Sequence, residues 1–190
     1  MISASRFYSI LNKLEQRGFV RQHSVNLGGK GGFTKILELV RPEGFEVLGL
    51  KPKPFLTRGG NFITDFYITK KVEHLKSIGN DWDIDIEKQI KDKWMDIVIK
   101  TRTENPVFIA IELELSEANL ENNIRQDCEK VDFLIEVCLN ESIVKKAQEI
   151  VKSLPEVLQY KIGVCLLTKL LHCSKLSDVV DSGFLKERKL

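Results

Sequence analysis

Between residues 94 and 117 the chain falls twice into the period-two pattern of a β-strand. Trp94-Met-Asp-Ile-Val-Ile-Lys100 and Ile109-Ala-Ile-Glu-Leu-Glu-Leu-Ser-Glu117 are short apolar runs, and each puts carboxylates where a sheet ordinarily carries Val or Ile. Strand side chains alternate, so Glu112 and Glu114 share one face and Leu113 and Leu115 the other. A hairpin across residues 101–107, containing Glu104-Asn-Pro106, brings Asp96 alongside them. Three acids on one face repel one another and need a cation or raised pKa values.

The elements around this pair follow from the same patterning. Ser3-Ala-Ser5 starts a helix whose apolar positions Phe7, Ile10, Leu11 and Leu14 recur at i, i+3, i+4 and i+7, ending at Arg17-Gly18. Phe19–Val25 and Phe33–Val40 read as strands joined by the turn Leu27-Gly-Gly-Lys-Gly-Gly32, and Pro42–Leu50 as a short helix. Lys51-Pro-Lys-Pro-Phe-Leu-Thr-Arg-Gly-Gly60 resists both helix and strand and marks a linker between segments 1–50 and 61–190. Asn61–Ile78 is helical, Trp82–Glu87 a strand in which Asp83 and Asp85 are solvated, and Lys88–Lys93 a polar turn. After the two acidic strands come a helix over Ala118–Lys130, a strand over Asp132–Cys138, a helix over Ser142–Ser153 and a strand over Tyr160–Leu167. The order α-β-β-β-α-β-α-β predicts an α/β (α+β) fold, a mixed central sheet flanked by helices. The polar tail from Ser174 carries no pattern.

Composition narrows the class. Of 190 residues, 43% are hydrophobic and 29% charged, which fits a globular domain, and no apolar run approaches the length of a membrane span. No signal peptide is visible at Met1-Ile-Ser-Ala, and a cytoplasmic location is expected. Cys128, Cys138, Cys165 and Cys173 form no CxxC pair and read as reduced, buried thiols. The net charge of +2 conceals an asymmetry: residues 1–60 hold ten Lys and Arg against four acids, the remainder nineteen against twenty-three.

The helix, Leu-x-x-x-Gly-Phe-Val, glycine-tipped hairpin and closing Glu-Gly-Phe-x-Val-Leu-Gly of residues 1–50 resemble the later part of a winged-helix domain. The family's first two helices have no counterpart. The resemblance implies a DNA-binding segment in which 3–17 is the recognition helix, with Arg6, Asn12 and Lys13 on its polar face, and 27–32 the wing, tipped by Lys30. An amphipathic helix and hairpin that merely brace the next domain remain the plainer alternative.

The helix, three-strand meander, helix and strand of 61–167, with Asp in the second strand and Glu-x-Glu in the third, resemble the PD-(D/E)XK nuclease superfamily, the restriction-endonuclease-like fold shared by Holliday-junction resolvases. The resemblance implies a metal-dependent DNA endonuclease in which Asp96 and Glu112 bind Mg²⁺ or Mn²⁺. Glu73, in the opening helix, corresponds to an acid that many resolvase-like members add to the metal site. Glu114 stands where the family usually has Lys, and would act as general base or further ligand. Arg125, Gln126 and Lys130 of the following helix are the candidates to stand in for that Lys or to touch a phosphate. Met95 also departs from the Pro often found before the Asp. Glu121-Asn-Asn-Ile-Arg-Gln126, followed by Glu136-Val-Cys138, is similar to nuclease-like domains of plasmid and viral DNA-handling proteins. Implied partners are DNA, a second copy of the chain, and a larger ATPase or replication assembly of a mobile element, with no membrane. A non-catalytic DNA-binding or assembly module with the same fold is the rival. The plainest alternative puts Glu112 and Glu114 on the solvent face of an edge strand.

Overall fold

The computed structural model describes residues 3–26, 33–52, 54–79, 81–180 and 185. The chain divides into two compact units, Met1–Phe55 and Leu56–Leu190, so the boundary falls inside the proline-containing stretch expected to be a linker.

The first unit holds helix α1 (Ala4–Gln16), the antiparallel pair β1 (Val20–Asn26) and β2 (Phe33–Leu39), and the short helix α2 (Glu43–Val47). Ser3 caps α1, its Oγ accepting the Arg6 N–H, and Gly18 turns the chain at φ 74° where a side chain would be strained. Gly44 sits so close to the Phe19 carbonyl that any Cβ there would clash. The apolar stripe of α1 is only partly used. Leu11 is buried, but Phe7, Tyr8 and Ile10 are exposed, as are Leu37, Val47, Leu48 and Leu50. A hairpin and a five-residue helix offer too little surface to cover a whole helix face.

The second unit is built on a five-stranded sheet of order β3-β4-β5-β6-β7: β3 (Trp82–Ile90), β4 (Lys93–Thr101), β5 (Phe108–Glu114), β6 (Phe133–Cys138) and β7 (Ile162–Leu166). β3, β4 and β5 form an antiparallel meander, and β6 and β7 add in parallel. The expected mixed sheet is observed, with β5 at its centre. Helix α3 (Phe62–Ile78) opens the unit and is capped by Asn61, whose Oδ1 accepts from the N–H groups of Ile63 and Thr64. α4 (Leu120–Asp127) and α5 (Glu141–Lys152) are the crossovers that parallel pairing requires.

Helices pack on both faces of the sheet, and part of β3 and β4 stays exposed. Val98, Ala110, Leu134 and Ile162 lie in register across four strands and share a core with Leu120 and Ile124 of α4 and Ile143, Ala147 and Ile150 of α5. Ile97, Ile99, Ile109, Ile111, Ile135 and Val137 alternate with these and are also fully buried. α3 lies against β3 and β4, and α7 (Leu167–His172) against β6, β7 and α3. Each such side chain contributes about 1.5–3 kcal/mol by leaving water, which fixes the register of the sheet.

Three expectations are corrected. The polar 88–93 segment is mostly strand, because β3 continues to Ile90 and leaves the turn to Lys91 and Asp92, Lys91 at φ 56°. Two short helices go beyond the pattern, α6 (Glu156–Gln159) after Pro155 and α7 directly after β7. Described residues of the tail also pack: Leu176, Val179, Val180 and Leu185 are buried, and Val180 fills the space left by Gly163 in β7, where a Cβ would meet it at 2.6 Å. All four cysteines are free and buried.

Candidate functional site

The register of the sheet sets four acids side by side. Glu112 pairs with Glu136 across the parallel β5–β6 ladder. Continuing the β4–β5 register one residue past Ile97↔Ile111 sets Asp96 against Glu112, and Glu87 falls against Asp96 between the pairs Ile86↔Ile97 and Lys88↔Met95. Glu87, Asp96, Glu112 and Glu136 thus form a row across β3, β4, β5 and β6.

The row begins where the β4–β5 ladder ends. Beyond Ile97↔Ile111 the strands exchange side-chain bonds instead of backbone ones. Asp96 N–H donates to Glu112 Oε1 at 3.0 Å, and Leu113 N–H donates to Asp96 Oδ2 at 2.8 Å. Each carboxylate therefore satisfies a backbone donor that the broken ladder would orphan. Two carboxyl groups are fixed against each other in this way, each with a second oxygen to offer.

Burial makes the row costly. Glu136 is fully buried, and neither carboxyl oxygen has a hydrogen-bond partner among the described residues. Its pKa is pushed well above the ordinary carboxylate range by burial, then by the charges of Glu114, Asp127 and Asp96. Glu112 is raised well above that range too, by burial first and then by Asp96 and Glu136, with the Asp96 N–H working the other way. Glu87 is raised by burial and by Asp96. Its backbone adopts φ 50°, a conformation that costs a non-glycine residue free energy and clusters at functional positions.

A buried cation faces this charge from α3. Lys71 is fully buried, its amino group has no hydrogen-bond partner among the described residues, and burial lowers its pKa. The negative charges of Asp96, Glu112 and Glu136 work against that lowering. Its helix neighbour Glu73 is a correction. Glu73 has a side chain 60% exposed, ion-paired to Lys70 at 2.8 Å, and does not join Asp96 and Glu112. Side chains two apart on a helix point about 200° apart, so Lys71 and Glu73 cannot both turn inward. Among the described residues no group of three or more His, Cys, Asp or Glu side chains is drawn together closely enough to hold a metal ion.

Glu114 is tied to α4. It is buried, its Oε1 accepts from Asn123 Nδ2 at 2.9 Å, and burial raises its pKa while that hydrogen bond opposes the rise. The edge-strand alternative for Glu112 and Glu114 is thereby excluded, since β5 is central and both are buried. Behind Asn123 stands Lys93. Its Nζ reaches Asn123 Oδ1 at 3.4 Å and Gln126 Oε1 at 3.3 Å, and lies 3.6 Å from Asp127 Oδ1. Asp127 is buried, which raises its pKa to about 6 against the pull of Lys93.

The other expected residues are dispersed. Lys130 is committed to Asp92 at 2.6 Å, and Arg125 to Glu121 at 2.9 Å and Ser153 at 3.2 Å. Gln126 also donates to Asn122 at 2.7 Å. In the first unit Arg6, Asn12 and Lys13 are exposed along α1, with Asn12 Oδ1 accepting from Gln22 at 3.4 Å. Lys30 lies outside the described residues. Sequence reasoning missed Glu87, Glu136 and Lys71. For Glu136 a signal existed, since it is an acid inside the apolar run Phe133–Cys138, as Asp96 is in its own strand.

As donors, Asp96 and Glu112 fit a hard divalent cation such as Mg²⁺, which is commonly held by one or two carboxylates and completes its shell with water and substrate oxygens. Such a cation would also offset the repulsion along the row. No family model, curated protein or solved structure matches this chain.

Proposed function

We propose that the second unit is a Mg²⁺-dependent DNA endonuclease with a restriction-endonuclease-like core, and that the first is a winged-helix-like segment that adds DNA affinity. The observation that carries this reading is the interlocked pair Asp96 and Glu112, each bonded to the other's strand where the central ladder opens. The order α3-β3-β4-β5-α4-β6 supports the fold assignment.

Asp96 and Glu112 would hold the metal, which when bound supplies an activated water and offsets charge on the scissile phosphate. Glu114 is the proton acceptor of this scheme. Burial has raised its proton affinity, and Asn123 fixes one of its oxygens and leaves the other to take a proton from the attacking water. The water oxygen forms the new bond to phosphorus as the P–O bond to the leaving nucleotide breaks. Among the described residues Lys71 supplies the one buried amino group near the row, from the helix rather than from the strand position that Glu114 occupies.

The test is cleavage of plasmid and oligonucleotide DNA by the full chain with Mg²⁺ or Mn²⁺. Asp96→Asn should abolish cleavage while leaving the fold intact by circular dichroism. An Asp96→Asn protein that cuts like the parent removes the assignment.

A second reading has its own support. Glu114 in place of Lys, and the failure of Glu73 to close a three-residue metal group, favour a non-catalytic DNA-binding or assembly module on the same scaffold. Absence of any metal-dependent cleavage, with DNA binding retained, selects it.

A further inference from the structure

The exposed side of β3 and β4 carries a groove of about 610 Å³, lined by the cations Lys76, Lys88, Lys100 and Arg102 and by the rings of Trp82 and Phe108. We infer that this groove binds a single strand of DNA and leads it to the acidic row, an inference that rests on the nuclease reading and names its substrate class.

The charge of the groove is positive where it is free. Arg102 is paired with Asp83 at 2.6 Å and Lys88 with Asp85 at 3.0 Å. Lys76, in the last turn of α3, and Lys100, on β4, have no carboxylate within ion-pair distance among the described residues. Four cations against two carboxylates leave a surface that attracts phosphate through the two unpaired lysines. This is the opposite sign to the second unit as a whole, which is acidic.

The rings distinguish a single strand from a duplex. Phe108 is 40% exposed at the start of β5, with Lys100 Nζ 5.8 Å from its ring centre. Trp82 is half-buried, its indole backed by the bare Cα of Gly79, which leaves no room for a side chain there. Half-exposed rings among cations form a stacking platform, and stacking needs a base whose face is free. In a duplex both faces are occupied by neighbouring pairs.

The groove borders the row, since Val98, which lines it, stands two residues from Asp96 on the same face of β4. From Trp82 to Ile90 the groove wall runs roughly 26 Å at ~3.3 Å per residue. That length takes several nucleotides and passes the level of Glu87 and Asp96 before β3 ends at Ile90.

The experiment is fluorescence anisotropy of the full chain with a labelled dT20 oligomer, in EDTA so that nothing is cut, over a range of KCl concentrations. The doubly substituted Lys76→Glu/Lys100→Glu protein should bind at least about tenfold more weakly, with the slope of log affinity against log salt reduced by about 1.4 for two lost phosphate contacts. Phe108→Ala should weaken binding about fivefold or more, and Phe108→Tyr should restore it. A duplex competitor of the same length should displace the oligomer poorly. Unchanged affinity and salt slope in the double lysine variant, with an unchanged melting temperature, overturns the inference, as does equal competition by duplex. Lys146→Gln, on the exposed side of α5 and outside the groove and the row, serves as control and should bind like the parent. If parent and control both bind but neither preparation cuts with Mg²⁺ or Mn²⁺, the nuclease reading fails and the groove stands. If the lysine variant binds and cuts like the parent, the groove fails and the nuclease stands.

Discussion

Glu112 and Glu136 face each other across the parallel ladder of β5 and β6, and both carboxyl groups are buried. The carboxyl oxygens of Glu136 have no hydrogen-bond partner among the described residues. Such a pair is tolerable only if it shares protons or acquires a cation. Glu136→Gln keeps the shape and removes one charge. It should raise stability at pH 8 by about 1 kcal/mol or more, seen as a melting temperature higher by about 2–4 °C in a chain of this size. A variant that melts lower than the parent at pH 8 shows that Glu136 is held by something else.

The pH dependence has a definite sign. Glu112 and Glu136 are raised in the folded state, and Asp127 is raised from 3.8 to about 6. Above their ordinary values the folded chain holds protons that the unfolded chain releases, so stability falls as pH rises through the folded pKa values. For Asp127 this window runs from 3.8 to about 6. Lys71, lowered from 10.5, acts oppositely over the alkaline range between its lowered value and 10.5. Urea midpoints should therefore decline from about pH 4.5 to 6.5 in metal-free buffer, and Glu136→Gln should flatten the decline. Parallel profiles for parent and variant would contradict the assignment.

Metal should reverse that cost. If Asp96 and Glu112 bind Mg²⁺ or Mn²⁺, metal at a hundred times Kd stabilises the fold by about 2.7 kcal/mol, seen as a higher melting temperature. Asp96→Asn should lose the shift. Glu73→Gln should keep it, because that side chain is paired with Lys70 at the surface. A shift lost in the Glu73 variant would return that residue to the site.

Lys71→Met is expected not to destabilise the protein. Burial outweighs the attraction of its acidic neighbours, which is why its pKa is lowered, and an apolar chain of similar length does not carry the cost of a buried ammonium. A loss above about 3 kcal/mol in thermal or urea melts would reveal a true buried ion pair, whose broken partner costs that much.

The C-terminal segment offers a packing test. Gly163→Ala should destabilise by about 1–3 kcal/mol, because the new methyl meets Val180 at 2.6 Å. Val180→Ala alone leaves a void and should cost about 0.5–2 kcal/mol. Together the two should cost less than their sum, since one makes room for the other. Strict additivity would mean that the tail does not rest on β7.

How far the sequence disclosed this arrangement depends on what kind of information each residue carries. Asp96 and Glu112 were legible because period-two strands with a hairpin between them place the two acids locally. Glu136 joins the row only through register with β5 across the α4 crossover. Glu87 was missed because residues 88–93 read as a turn, which ended β3 at Glu87 and hid its register with Asp96. Lys71 sits among Lys70, Glu73, His74 and Lys76 in a helix whose polar side reads as solvated. Only the tertiary fold determines which of those positions is roofed over. The tail was missed because Leu176, Val179, Val180 and Leu185 are isolated among polar residues, and no period connects them.

The four buried thiols give the second unit a built-in clock. Burial raises the pKa of Cys138 well above the ordinary thiol range and that of Cys165 to about 12, and it raises those of Cys128 and Cys173 as well. As protonated, enclosed sulfurs they are poor nucleophiles until the surrounding layers part. Cys128 closes α4, Cys138 and Cys165 lie on adjacent parallel strands, and Cys173 follows α7. An alkylating reagent therefore times the opening of each layer of this unit separately, by mass, with no label added. The first unit contains no cysteine and is silent in the same experiment.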